Sequence, residues 1–343
     1  MSAREPRILF LASDREDYLA DSLFLGLRQV LGESVIDAPR RDPLYSNYPP
    51  DLRRQRYGHG FTLYGGLLED VPVDRSWAAL RIERGEFDLV VFGDIQSSFG
   101  RWVELLHAVR GTRTAVLDGG DYPAMYPFGP RWWSDPRWWL LPRTRRAIYF
   151  KRELTPETRR LRSFMLMPRG LCRRLGPPRG LRPIAFSIPD EKIVDGPTPK
   201  SSLLATHVVD PEVAARAGHP TSAAFSDEAE YYADLQAARF GVTTKRAGWD
   251  CMRHYELAAN GCVPCFRNLA AKPATCAPHG LHEGNCVPYE DADDLFARLD
   301  RIDDARYERL REGALRWACE NSTRNRARQF LTAVGLPCPD ASA

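Results

Sequence analysis

The chain has 343 residues, 43% apolar and 27% charged, the balance of a soluble globular protein long enough for one large domain or two medium ones. No apolar run approaches the ~20 residues that cross a bilayer, so no transmembrane segment is expected. A formal net charge of +3 gives no ground for a nucleic-acid partner.

The opening stretch, MSAREPRILFLASDRED, has a short apolar run with charge directly behind it, unlike a secretory leader; a cytoplasmic protein is expected. Arg7–Ser13 (RILFLAS) reads as a buried strand ending in a loop. Asp21–Leu31 has helical apolar spacing, with Gly32 as its stop, and Ser34–Ala38 reads as a second strand. Strand, helix and strand in that space make a βαβ unit and imply a parallel sheet. Asp42–Asp70, rich in Tyr, Pro, Gly and Arg, reads as a long irregular loop, a common place for function. Ser76–Arg84 predicts a short helix, Phe87–Phe92 a third strand, Phe99–Val109 a helix, Thr114–Leu117 a fourth strand and Ala147–Phe150 a fifth. Tyr122–Leu141 holds four tryptophans in two pairs, either a packed hydrophobic loop or a stacking surface for a sugar or acceptor.

Arg169–Arg182 (RGLCRRLGPPRGLR) has the composition of a linker. Pro183–Ile188 then reads as the first strand of a second domain. Ser202–Thr206 reads as another strand, Glu228–Ala238 as a helix, and Ala292–Arg301 and Arg306–Val334 as closing helices.

The richest stretch is Gly241–Phe266, GVTTKRAGWDCMRHYELAANGCVPCF. A β-prone run leads to Lys245 and Arg246, then to a glycine turn. Asp250 is a candidate helix cap. Arg253 and Glu256 lie three apart on the helix that follows, Asn260-Gly261 ends it, and Cys262–Phe266 is strand-like. A helix start offers free amides and partial positive charge to an anion. Lys245 and Arg246 would add full charges, and Glu256 could accept hydrogen bonds from vicinal hydroxyls. The plainer alternative is solvent-facing cations, an Arg253–Glu256 pair on the helix surface and a cap at Asp250.

The run Gly248-Trp249-Asp250-x-x-Arg253-x-Tyr255-Glu256-x-x-Ala259-x-Gly261-Cys262-Val263-Pro264 resembles the carboxy-terminal domain of GT-B glycosyltransferases, above all the CgeB-like and exostosin-like groups. The resemblance covers Gly241–Phe266 well and the second domain loosely. It implies an α/β protein of two Rossmann-like domains facing across a cleft. The acceptor-side domain would span 1–170 and the nucleotide-sugar domain 181–305, with terminal helices 306–343 packing back on the first. It implies that Arg253 contacts donor phosphate and that Glu256 binds the donor ribose or sugar hydroxyls. Retaining members carry two glutamates with seven residues between them. Here position 248 is glycine, and the nearest upstream acid is Asp250.

Asp118-Gly-Gly-Asp121 follows a predicted strand, where open α/β sheets bind ligands. Asp118 and Asp121 are candidates for the base that takes a proton from an acceptor hydroxyl, or for residues that hold the turn. His59, between two glycines in the first-domain loop, is a further candidate base or a surface histidine. His207 begins a loop after a predicted strand, from where it could approach donor phosphate. Cys262, Cys265, Cys276, His279, His282 and Cys286 include zinc-ligand types, but Cys262 and Cys265 fall in an apolar strand-like run, so no metal is expected. Cys-x-x-Cys redox chemistry needs a helix start, which is not where this pair lies. An oxidoreductase is disfavoured because Asp14-Arg-Glu-Asp17 stands where a Gly-x-Gly-x-x-Gly turn would follow the first strand. The expected function is a metal-independent glycosyltransferase. It would use a nucleotide-sugar as co-substrate, with no cofactor and an acceptor of unspecified identity, and with a homo-oligomer left open. The alternative is a non-catalytic nucleotide-sugar-binding or complex-partner protein of the same fold.

Overall fold

The computed structural model describes residues 4–13, 15–54, 63–105, 107–126, 147–160, 180–222 and 225–339. His59, the Trp132-Trp133 and Trp138-Trp139 pairs and most of the arginine-rich linker lie outside them. The apolar run after Arg7 forms β1 (Ile8–Leu11), buried along its whole length, as expected of a strand covered on both faces. Helix α1 (Tyr18–Leu31) follows. Asp17 caps it by accepting the Ala20 amide at 2.7 Å, and Gly32 ends it at φ 51°. The chain continues through β2 (Val35–Asp37), α2 (Pro50–Arg54), α3 (Ala78–Glu83), β3 (Leu89–Phe92), α4 (Ile95–Leu105), β4 (Arg113–Asp118), β5 (Ile148–Lys151), α5 (Pro156–Arg160) and β6 (Leu181–Pro183). Strands β1 to β6 make one parallel sheet in the order β2-β1-β3-β4-β5-β6. Its strand order reverses beside β1, and the crevice at such a switch point is where open α/β sheets take ligands.

One expectation changes here. The strand near Pro183 does not open the second domain. Leu181–Pro183 is the edge strand of the first sheet, in register with Tyr149–Lys151. Gly180 lets it approach closely, since a Cβ there would stand 3.2 Å from the Ile148 Cα. An edge position also tolerates Pro183, which has no amide to donate. The chain crosses to the second domain after it.

That domain holds β7 (Ser202–Leu204), α6 (Pro211–Ala217), α7 (Glu228–Ala237), β8 (Ala238–Thr243), α8 (Met252–Ala259), β9 (Val263–Arg267), β10 (Val287–Tyr289) and α9 (Ala292–Leu299). Its four parallel strands run β10-β9-β8-β7. The two sheet-containing α/β domains face each other across a cleft lined from both sides.

Two helices close the chain, α10 (Asp304–Glu320) and α11 (Thr323–Val334), separated where Ser322 caps the second by accepting the Asn325 amide. Helix α10 packs on α8, with the Trp317 and Tyr255 rings stacked 4.9 Å apart. Helix α11 returns to the first domain: Phe330 meets Phe150 at 4.9 Å, and Leu331 and Val334 join the apolar cluster around β1 and α1. The crossing of α1 and α11 is close because residue 26 is glycine; a Cβ there would sit 2.0 Å from the Thr323 carbonyl oxygen. Alanine inside a helix ordinarily gains about 1 kcal/mol over glycine. At this crossing overpacking reverses the sign, so Gly26→Ala is expected to lose about 1–3 kcal/mol of unfolding free energy. Urea denaturation measures it, and a stabilised variant would contradict the close crossing.

Candidate functional site

The cleft has a volume of about 470 Å³ and is lined by Tyr18, Asp121 and Phe186 from one side and His207, Arg246, Arg253 and Glu256 from the other, among others. Its size is that of a small-molecule site. The segments that follow β1, β4 and β6 supply the first wall, through Tyr18, Asp121 and Phe186. The loops after β7 and β8, with the start of α8, supply the second.

Helix α8 starts at Met252 and has Cys251 at its N-cap with no side-chain cap. Asp250, read from the sequence as the cap, turns elsewhere. Its oxygens accept the Phe186 amide at 2.9 Å and the Tyr255 hydroxyl at 2.8 Å, and burial raises its pKa. The start of the helix is therefore left to face the cleft. Arg253, in the first turn, is 7% exposed. Its Nε donates to the Val242 carbonyl at 2.9 Å, Nη2 donates to the His207 carbonyl, and Nη1 reaches the Tyr231 hydroxyl at 3.3 Å. Among the described residues no carboxylate forms an ion pair with this guanidinium. Carbonyls aim it into the cleft, where Glu256 is the acid that feels its charge.

His207 brings Nδ1 to 3.3 Å from Arg253 Nη1 and Nε2 to 3.2 Å from the Thr221 carbonyl. A carbonyl accepts only, so Nε2 carries the proton and Nδ1 the lone pair. Burial and Arg253 push its pKa down, which keeps it neutral. Glu256 lies one helical turn beyond Arg253, where the Tyr231 hydroxyl donates to it at 3.4 Å. Burial pushes its carboxyl up to about 7, against the pull of Arg253. The sequence alternative of an Arg253–Glu256 surface pair does not form; both side chains line the cleft. Arg246 is exposed and lines it too, whereas Lys245 is exposed with its ammonium 5.2 Å above the Trp249 ring, apart from the lining residues. His254 lies wholly inside, bonded to Thr243 Oγ1 at 2.8 Å and to the Trp249 carbonyl at 2.9 Å. It pins the glycine turn to β8.

The two acids of Asp118-Gly-Gly-Asp121 part company. Asp118 is fully buried and satisfied: Lys151 Nζ at 2.8 Å, the Tyr149 hydroxyl at 2.6 Å and the amides of Gly120 and Tyr126 at 3.1 Å surround it. No acceptor can reach it, and its work is to hold the turn. Asp121 is 53% exposed and lines the cleft, paired with Arg152.

Arg152 and Glu153, which directly follow β5, were not singled out in the sequence. Arg152 is 1% exposed. It donates to the Gly119 carbonyl at 3.2 and 3.0 Å, to Asp121, and across the interface to the Asp250 carbonyl at 2.6 Å, and its guanidinium lies 4.5 Å above the Phe186 ring. Glu153 Oε1 accepts the amides of Trp249 and Asp250 at 2.9 and 3.2 Å, and Oε2 accepts the Cys276 thiol at 2.9 Å. Tyr18, which lines the cleft, was not singled out either; burial and the nearby Glu256 push its phenol up to about 12. Asp17, at the strand-order switch, has its carboxyl pushed up to about 7 by burial and by Asp94, the acid that follows β3.

The cysteines described are free thiols, and among the described residues no three His, Cys, Asp or Glu side chains gather as a metal site. No helix among them is long and apolar enough to cross a membrane.

No protein-family model and no curated protein sequence matches the chain. Solved structures do. HepE (Alr3699) of Anabaena in complex with UDP-glucose aligns over 96% of this chain and 99% of its own, at 10% identity and a TM-score of 0.52. The same protein with UDP and glucose gives 12% identity and 0.50. A glycosyltransferase from Rickettsia africae ESF-5 aligns over 96% of this chain and 98% of its own, at 9% identity and 0.53. At such identities the likeness speaks for the fold. This chain has two sheet-containing α/β domains facing across a cleft, the GT-B fold.

The Arg152–Glu153 pair is expected to be costly to break. Arg152→Met leaves Glu153 and Asp121 without their cation and the Asp250 carbonyl without its donor, and removing one partner of a buried pair costs about 3–5 kcal/mol. Urea denaturation of Arg152→Met and of the outlying Arg324→Met, whose ion pair is exposed, checks it; equal losses would contradict the assignment.

Proposed function

We propose that the chain is a glycosyltransferase of the CgeB-like or exostosin-like kind, moving a sugar from a nucleotide-sugar to an acceptor hydroxyl or similar nucleophile. The observation that carries this is Arg253: a buried guanidinium, aimed by carbonyls and in no ion pair among the described residues, beside a helix start with no side-chain cap. A buried charge needs a partner, and here the partner is the donor diphosphate. Charge grows on that leaving group in the transition state, so preorganised donors placed there speed its departure. Neutral His207 adds a polar contact, Arg246 adds charge at the rim, and Asp250 braces the turn that feeds the helix. Glu256, one turn on, accepts hydrogen bonds from the ribose hydroxyls. Because the fold is shared with a protein whose complexes hold UDP and UDP-glucose, uridine nucleotides head the trial panel.

The first domain supplies the acceptor side. Asp121 is the first-domain acid that lines the cleft, and Asp17, at the switch point, is taken up in capping α1. His59, read from the sequence as a base for the acceptor proton, keeps that role in this reading. Asp121 is committed to Arg152 and serves better as a hydrogen-bond acceptor than as a proton carrier.

A thermal-shift panel of UDP, GDP, CDP, dTDP and their sugar conjugates tests the reading, since a ligand of the folded state raises apparent stability. One base is expected to stand out, with slow release of free sugar from its conjugate. Arg253→Ala is expected to weaken that nucleoside diphosphate by roughly tenfold or more, as the loss of a charged hydrogen-bond partner implies; unchanged affinity by calorimetry would remove the diphosphate from this site.

The pH dependence follows from Glu256. Its free carboxyl is half-protonated near pH 7, and ribose hydroxyls donate to the ionised form. Binding therefore releases a proton, and affinity rises from pH 6 to pH 8. In Glu256→Gln that part of the rise is expected to vanish. Parallel pH curves for wild type and variant would contradict the role.

A further inference from the structure

Asp121 belongs to the first domain, yet it stands against the second. A Cβ on Gly248 would lie 3.1 Å from Asp121 Oδ1 and 2.5 Å from Glu153 Oε1. A side chain at 248 would run into those two carboxylates, so the glycine is what lets the first-domain acids close against the second-domain turn. Arg152 holds that carboxylate by Oδ1. Oδ2 has no protein partner among the described residues, and the side chain is 53% exposed in the cleft.

The order of groups along the wall gives this placement meaning. It rests on the donor reading above, with ribose at Glu256 and diphosphate at Arg253. A nucleotide-sugar is linear in its parts: nucleoside, diphosphate, then sugar. Glu256 lies a turn inside α8, Arg253 in its first turn, and Gly248 in the loop before it. Passing from ribose through diphosphate, the next group reaches Gly248 and Asp121. That group is a polyhydroxylated ring, and a carboxylate oxygen without a partner accepts from a ring hydroxyl with the strength of a charge-assisted hydrogen bond.

We propose that Asp121 is a specificity-determining residue that reads a hydroxyl of the transferred sugar from across the domain interface, with the glycine at 248 letting its carboxylate come up against the second domain. Two consequences follow. The sugar is held by both domains, whereas the nucleoside diphosphate is held by the second. Transfer of the sugar therefore removes the first-domain contact and weakens the hold on the product.

The test is calorimetry of wild type, Asp121→Ala, Asp121→Asn and Glu256→Gln with UDP, GDP, CDP and dTDP and the glucose conjugate of each. For the base that binds, wild type is expected to hold the conjugate more tightly than the diphosphate. Asp121→Ala should keep the diphosphate affinity within about twofold and lose roughly tenfold on the conjugate. Asp121→Asn preserves the shape and guards against a folding defect, and it should show a smaller loss of the same kind. Glu256→Gln should weaken both ligands. Conjugate affinity unchanged in both Asp121 variants, or a wild type with no preference for the conjugate, would overturn the sugar-reading role while leaving the diphosphate site standing. A wild type that binds no member of the panel would overturn both.

Discussion

The architecture of the cleft depends on Arg152 and Glu153. They are adjacent in sequence, so their side chains leave the end of β5 together, one cation and one anion, into the seam between the domains. Neither charge is spent on the other alone. Glu153 takes two amides from the turn before α8 and the Cys276 thiol, whose pKa burial and Glu153 push well up. Arg152 takes carbonyls from both domains and the Asp121 carboxylate. A buried charge survives only when its hydrogen-bonding capacity is met. Here both sets of partners come from the loops that make the site, so the cost of burying the pair is offset by contacts that hold the 119–121 and 248–250 turns in place.

That arrangement leaves the start of α8 turned to the cleft. Asp250 is drawn toward Phe186 and Tyr255 rather than onto the helix, so the start of α8 is left without a side-chain cap. Arg253 is aimed by carbonyls, which orient a guanidinium without neutralising it. Buried acids in both domains respond to a dry environment: burial pushes the carboxyls of Glu256 and Asp17 up. One lies on the helix that carries the cation, the other at the switch point of the facing sheet.

Much of this was readable beforehand. The first strand, its helix and the run from Gly241 to Phe266 declare themselves through local signals: apolar runs, helical spacing and glycine stops. The cleft gathers His207, Arg246, Asp250, Arg253 and Glu256 from that reading, with Asp121 opposite. What escaped depends on partners distant in the chain. Arg152 and Glu153 look like any charged pair after a strand until Trp249 and Asp250 arrive beside them. Asp118 and Asp121 look equivalent in Asp-Gly-Gly-Asp; only the neighbouring β5, which brings Tyr149 and Lys151, separates the buried acid from the open one. Pro183 was placed in the wrong sheet because β propensity does not say which sheet a strand joins. Gly248 looked like a missing carboxylate until Asp121 and Glu153 were found pressed against it.

The two places where the chain passes between domains lie side by side. Ile188 on the outward path donates its amide to the Asn321 carbonyl at 3.2 Å and accepts the Thr323 amide at 2.8 Å on the return. One residue thus bonds to both sides of the turn between the two closing helices. The outward and return passages are tied at a single bridge, so both ends of the second domain are anchored at the same place on the chain.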